Sequence, residues 1–127
     1  MRLDMLHSYK ELIVWQRAME LVTETYDVTE EFPKEEVYGL VSQMRRAAVS
    51  IPSNIAEGRY RGTKNEFIQF LRIALGSTGE LETQVEIAKM LPKTKKLDFK
   101  RSECLLSETG RMLRSMIRKL NPKSEEA

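Results

Sequence analysis

Apolar residues recur along this chain with a period between three and four. Leu12, Trp15, Met19, Val22 and Tyr26 step by 3, 4, 3 and 4, which places them along one side of a helix. That helix should stop near Phe32, because the residue before Pro33 is steered away from helical angles. Val37, Val41, Met44, Ala48, Ile51 and Ile55 continue the same stepping, with Leu40 and Ala47 widening the face. Glu35 and Glu36 fall in the first turn of this second helix, where its dipole favours anions. A third stripe runs through Phe67, Phe70, Leu71, Ala74, Thr78, Leu81, Val85 and Ala88. It opens with Thr63-Lys64-Asn65-Glu66, the pattern of a capping box, with Glu66 reaching back to Thr63, and closes at Leu91 before Pro92. The fourth is Leu106, Thr109, Leu113, Met116 and Leu120, capped by Asp98 and stopped at Asn121-Pro122.

No segment alternates in the manner of a strand. The pattern predicts an all-α protein, an antiparallel up-down-up-down four-helix bundle, with helices at roughly 10–31, 35–59, 63–91 and 98–121. One domain spans residues 1–127, with flexible tails at 1–8 and 122–127.

The stretch SIPSNIAEGRYRGT, residues 50–63, complicates the second helix. The stripe passes Pro52 without losing phase, so the helix should continue with a kink, although Pro52 cannot donate to the Ala48 carbonyl. Asn54 adjoins the apolar face and needs hydrogen-bond partners if it is buried. Glu57 can reach Arg61 at i+4 if the helix lasts that long, but Gly58 suggests an earlier end, leaving RYRG as a basic turn. Gly76 and Gly79 sit inside the third helix at an intrinsic cost of about 1 kcal/mol each against alanine, a cost that close approach of another helix would offset.

The stripes are wide for a lone bundle. Ile13 and Val14 flank the first; Ile68, Ile73, Leu75 and Ile87 lie off the third; Cys104, Leu105, Met112 and Ile117 flank the fourth. Such width points to a second buried face and hence to self-association.

Hydrophobic residues make up 41% and charged residues 31%, too apolar for disorder. The lone Cys104 excludes an intrachain disulfide and fits a reducing, cytoplasmic compartment. No signal-peptide pattern and no membrane-spanning apolar run are expected. Net charge is only +2, but it is unevenly distributed. Residues 11–36 carry eight acids against two bases, residues 45–64 five bases against one acid, and residues 89–101 six bases against one acid. Arg45, Arg46, Arg59, Arg61 and Lys64 are therefore candidate contacts to a nucleic-acid backbone. Arg111, Arg114 and Arg118 form a second candidate ridge on the fourth helix, without interleaved aromatics there. Both sets also read as ordinary solvated faces.

Catalytic and metal chemistry find little support. A di-iron bundle site needs Glu-x-x-His pairs, and the single histidine, His7, precedes the first helix. One Cys and one His cannot complete a zinc site. The glycines of AEGRYRGTK and GSTGE do not have phosphate-loop spacing. Glu80 and Glu82, two apart, point to different faces of a helix. The expectation is a protein that is not an enzyme, with no metal and no cofactor. A cavity lined by Arg46, Asn54 and Glu57 would reopen the question.

Three segments, YKELIVWQRAMEL (9–21), YGLVSQMRRAAVSIPSNIAEGRYR (38–61) and EFIQFLRIALGSTGELETQVEIA (66–88), closely resemble the bacterial four-helix-bundle proteins encoded in rRNA intervening sequences. The likeness spans roughly residues 9–120, the fourth helix matching in pattern only. Arg45, Arg46, Ser50, Pro52, Asn54, Glu57, Gly58, Arg59, Glu66, Phe67, Gly76, Ser77, Glu80 and Glu82 fit the family motif; Thr78-Gly79 stands where the family more often carries a larger apolar residue. The resemblance implies a small antiparallel bundle assembled as a homopentameric ring. It also implies a fold similar to the accessory protein of diversity-generating retroelements, which binds nucleic acid and a reverse transcriptase. Two functions follow as expectations. One is a non-catalytic oligomer engaging RNA or DNA backbone through basic patches. The other is a scaffold for a nucleic-acid-processing protein partner, without nucleic-acid affinity of its own.

Overall fold

The computed structural model describes residues 8–121. Apart from Ser8, the tails expected at 1–8 and 122–127 lie outside the described residues, as does His7. Four long helices carry the fold: α1 (Ile13–Thr29), α2 (Ser42–Arg61), α3 (Lys64–Met90) and α4 (Lys100–Leu120). No strand occurs among the described residues. Each helix packs on its neighbours in sequence, and α4 returns to α1.

Cross-helix pairs give the direction of packing. Ser50 meets Ser77, Gly58 lies against Phe70, and Arg61 reaches Glu66, so residue numbers fall along α3 as they rise along α2. Arg17–Glu108 and Glu20–Arg101 relate α1 to α4 in the same opposed sense. The C-termini of α2 and α4 therefore lie at one end of the bundle, and the α1–α2 and α3–α4 connections lie at the other.

The first helix starts later than expected. Ser8 accepts a hydrogen bond from the Lys10 amide and caps a 3-10 turn, Tyr9–Glu11. Leu12 is extended, so α1 begins at Ile13. Its buried face is also rotated from the anticipated stripe. Val14, Ala18, Leu21, Thr25 and Val28 are buried, whereas Leu12, Trp15 and Val22 are half-buried and Met19 and Tyr26 are exposed. The small Ala18 and Thr25 permit close helix packing and are weak marks in an apolar pattern. The hydroxyls of Thr25 and Thr29 are satisfied by donating to the Leu21 and Thr25 carbonyls, at 2.7 and 2.6 Å.

The second helix differs at both ends. Residues 34–41 are a 3-10 turn followed by a π-type turn, with non-helical angles at Gly39 (φ −111°, ψ −106°). Regular α-helix begins only at Ser42, and Val37 is exposed. The helix then continues through Pro52 and Gly58 to Arg61, where Gly62, at φ 85°, supplies the left-handed cap. The expected end at 59 is thus corrected: Gly58 is buried against α3 and Gly62 is the terminator.

α3 begins as the sequence indicates, with the Thr63 hydroxyl accepting from the Glu66 amide at 3.3 Å. The Glu66 carboxylate turns to that hydroxyl at 2.9 Å rather than to a backbone amide. Asp98 accepts from the Lys100 amide at 3.0 Å, which assists the start of α4. Phe32 and Phe99 meet edge to face, 6.3 Å apart, and close one end of the core. That core is continuous, from Val14 and Leu21 through Met44, Ile51 and Ile55 to Phe67, Leu71, Leu81 and Leu113.

Candidate nucleic-acid interface

The motif in the middle of α2 is chiefly structural. The Asn54 amide donates to the Ser50 carbonyl at 2.8 Å and to the Ser50 hydroxyl at 2.9 Å. That hydroxyl shares a 2.8 Å hydrogen bond with the buried Ser77 of α3. A polar group at the edge of a core costs free energy unless it is paired, and this network pairs all three side chains across the seam. Pro52 is buried without breaking the helix. A Cβ on Gly58 would sit 2.6 Å from Phe70 Cβ, so this glycine sets how closely α2 and α3 approach. Gly76 behaves differently. Neither it nor Gly79 has a neighbour within 4 Å of an added Cβ, so no helix of this chain accounts for either glycine.

The candidate phosphate contacts separate into three groups. Arg45 is half-buried and clamps α2 to α1. Its Nε donates to Thr29 Oγ1 at 2.9 Å, and its guanidinium lies 4.4 Å from the Tyr26 ring centre and 3.7 Å from Glu30. Arg46, one residue on, is exposed and forms no ion pair among the described residues. At the α2–α3 corner Arg61 is held by Glu57 at 3.0 Å and Glu66 at 3.6 Å, and lies 5.1 Å from the Phe70 ring centre. The hydrogen bond to Glu57, more than any other cause, raises the Arg61 pKa. Arg59 is half-buried and lines a cleft with Ser8, Tyr9 and Tyr60. Lys64 occupies the first turn of α3, where a cation is disfavoured by the helix dipole, so helix stability does not explain it.

The ridge on α4 is exposed. Arg111 donates to Ser107 at 3.1 Å, and the Arg114 guanidinium folds near Gly110. Arg118 is exposed in the last turn and engages other groups of the chain. The cavity imagined from Arg46, Asn54 and Glu57 has its members turned elsewhere: Asn54 to Ser50, Glu57 to Arg61, and Arg46 to solvent.

Folding redistributes the charge that the sequence segregates. At the end holding the α1–α2 and α3–α4 connections, part of the basic run 89–101 is paired with carboxylates. Lys93 pairs with Glu35, raising the lysine pKa and lowering that of the carboxyl. Lys89 bridges Glu86 and Glu103, and Arg101 pairs with Glu20. At the opposite end, among the described residues, Lys10, Arg59, Arg61, Lys64, Arg118 and Lys119 outnumber Glu11, Glu57 and Glu66. Positive charge therefore accumulates where α2 and α4 terminate.

Of the apolar residues that flank the expected stripes, Val14, Ile68, Leu105 and Ile117 are taken into this chain's own core, Leu75 and Met112 are half-buried, and Ile13, Ile73, Ile87 and Cys104 are exposed. Between α1 and α2 runs a groove of about 350 Å³ bordered by Trp15, Met19, Val22, Val49, Pro52 and Ala56. The anticipated α1 stripe forms one wall of this surface groove. Charge counting alone missed the aromatic pair beside it: Tyr9 and Tyr60 lie 5.7 Å apart, with Tyr60 80% exposed. The alternation Arg59-Tyr60-Arg61 was the available signal.

Among the described residues no helix is long and apolar enough to cross a membrane. Comparison with known proteins gives one family: the model of the 23S rRNA-intervening sequence protein matches residues 10–115 of the 127. No curated protein matches the chain.

Proposed function

The chain belongs to the 23S rRNA-intervening sequence protein family, and on that premise we propose that it is a non-catalytic oligomeric protein that engages RNA or DNA through its phosphate backbone. The carrying observation is the charge imbalance between the two ends of the bundle. Lys64 and Arg118 belong to the electropositive end, Arg111 and Arg114 extend the basic surface along α4, and Arg46 adds an uncommitted cation on α2. Such contacts release counterions, so affinity falls steeply with salt. Arg45 leaves the set of principal contacts, because its guanidinium is used to join two helices.

The α1–α2 groove supports the oligomeric part of the reading, as an apolar surface suited to a further copy of the chain. The ring of five that the family resemblance implies would repeat the basic end around one axis and raise avidity. Binding to mixed-sequence RNA and DNA, measured at about 50 and 200 mM salt, tests the function. The expected result is binding at the lower salt that weakens strongly at the higher. Absence of binding at the lower salt refutes it. Light scattering tests the assembly, and a monomer at micromolar concentration refutes that part.

The same groove favours a second reading, a scaffold for a nucleic-acid-processing protein. Recovery of one stoichiometric partner after nuclease treatment, from protein that binds no nucleic acid by itself, would select it.

A further inference from the structure

We propose that Tyr60 is a base-stacking platform, and that the nucleic acid this protein takes is single-stranded. The inference rests on the nucleic-acid reading above and narrows it to a substrate class. Three rings run in series at the basic end of the bundle. Trp15 meets Tyr9 edge to face at 5.3 Å, and Tyr9 meets Tyr60 at 5.7 Å with the planes inclined by 52°. Trp15 is half-buried and anchored against the core, so the series runs from a fixed ring outward to Tyr60, which is 80% exposed.

The position of Tyr60 departs from the logic of the fold. It lies in the last turn of α2 and contributes little to the core, yet its ring meets that of Tyr9. Ser8, Tyr9, Arg59 and Tyr60 enclose an open cleft of about 250 Å³. Arg59 lines the same cleft, Arg61, next in sequence, is engaged by Glu57, Glu66 and the Phe70 ring, and Lys64 follows the Gly62 turn.

An exposed planar ring that shares a cleft with Arg59, at the basic end of the bundle, matches an unpaired nucleotide, whose base offers a π-face and whose phosphate offers charge. A duplex keeps its base faces stacked inside, so it can use the cations but not the ring. Stacking tolerates any base, because every base has a π-face. The class is therefore single-stranded RNA or DNA without strong sequence preference.

The test is fluorescence anisotropy at low salt with the full chain, labelled oligo(dT) and oligo(U) of about 20 nucleotides, and a duplex of equal length. Single strands should bind more tightly than the duplex. Tyr60→Ala should weaken single-strand binding roughly tenfold while leaving duplex binding and the salt slope unchanged, and Tyr60→Phe should retain binding. Lys64→Ala should weaken both ligands and reduce the salt slope by about one. Wild-type protein that binds no nucleic acid removes the functional reading itself. Binding that Tyr60→Ala leaves intact keeps that reading and overturns the stacking platform. Loss of assembly by Tyr60→Ala in light scattering also overturns it, assigning the ring to a contact between copies.

Discussion

Gly58 of α2 and Phe70 of α3 are so close that a methyl group on the glycine would lie 2.6 Å from Phe70 Cβ and 3.2 Å from Phe67 Cδ1. The obstructing atom is bonded to the α3 backbone and cannot swing away, so relief requires the helices to separate. Gly58→Ala gains about 1 kcal/mol of helix propensity but incurs an overpacking cost of about 1–3 kcal/mol. The expected net effect is a loss of about 1 kcal/mol in chemical denaturation. Equal or greater stability would mean that α2 and α3 are not held at this separation.

Gly76→Ala and Gly79→Ala should act in the opposite direction. Both positions are exposed, with nothing near an added Cβ, so each substitution should raise stability by about 1 kcal/mol through helix propensity. The denaturation midpoint of the isolated protein is the readout. A fall in that midpoint, with the monomer still folded, would contradict the open surface described.

Arg45 and Arg46 are adjacent in sequence and should separate in function. Arg45→Ala removes a hydrogen bond to Thr29 and a cation–π contact with Tyr26, and should cost about 1–2 kcal/mol of stability. Arg46→Ala should change stability by no more than about 0.5 kcal/mol and should lower affinity for nucleic acid. Equal stability losses in the two variants would show that the division between clamp and contact is wrong.

Pro52→Ala returns a backbone donor toward the Ala48 carbonyl, relieving a penalty of about 3 kcal/mol. It also removes part of a buried ring, at about 0.8 kcal/mol per methylene. A folded protein about 1 kcal/mol more stable is expected by thermal and chemical unfolding. Collapse of the fold would show that the ring directs how α1 packs on α2.

Glu24 gives a pH-dependent prediction. Burial, and then the neighbouring Asp27, raise its carboxyl pKa, with Asp98 adding to the effect and Arg101 opposing it. The folded state therefore holds that proton more tightly than the unfolded state. Ionised Glu24 costs stability at neutral pH, and the cost disappears as the pH falls through the carboxylate range. Glu24→Gln should raise the melting temperature at pH 7 and show a shrinking advantage on acidification. An advantage that grows towards acid would reverse the assigned direction.

Much of the bundle was legible as periodicity. The stripes of α2 and α3 named most of the residues that these helices bury, and the Thr63 cap and a stop before Pro92, placed at Leu91 and found at Met90, followed from local chemistry. Helix ends were less legible when a glycine had two possible uses. Gly58 and Gly62 are equally permissive residues in the sequence, but only Phe70 shows that one is a packing contact, and only a φ of 85° shows that the other ends the helix. The basic candidates were visible as charges, but their commitments were not: Arg45 is spent on Thr29 and Tyr26, and Tyr60 was visible only as a residue between two arginines.

The sequence by itself determined four amphipathic helices, their order and their number, because helical periodicity is a local property that a linear pattern records. Tertiary structure alone decided which α1 face is buried, since two adjacent apolar faces compete and the small Ala18 and Thr25 pack closer than Trp15 and Met19 can. It also decided where charge accumulates. The basic run at 89–101 carries six bases against one acid in the sequence, more than the corner at 59–64. Helix packing sets Lys93 against Glu35, Arg101 against Glu20 and Lys89 against Glu103, and leaves the other end of the bundle positive among the described residues, because ion pairing depends on distance in space and not on distance along the chain.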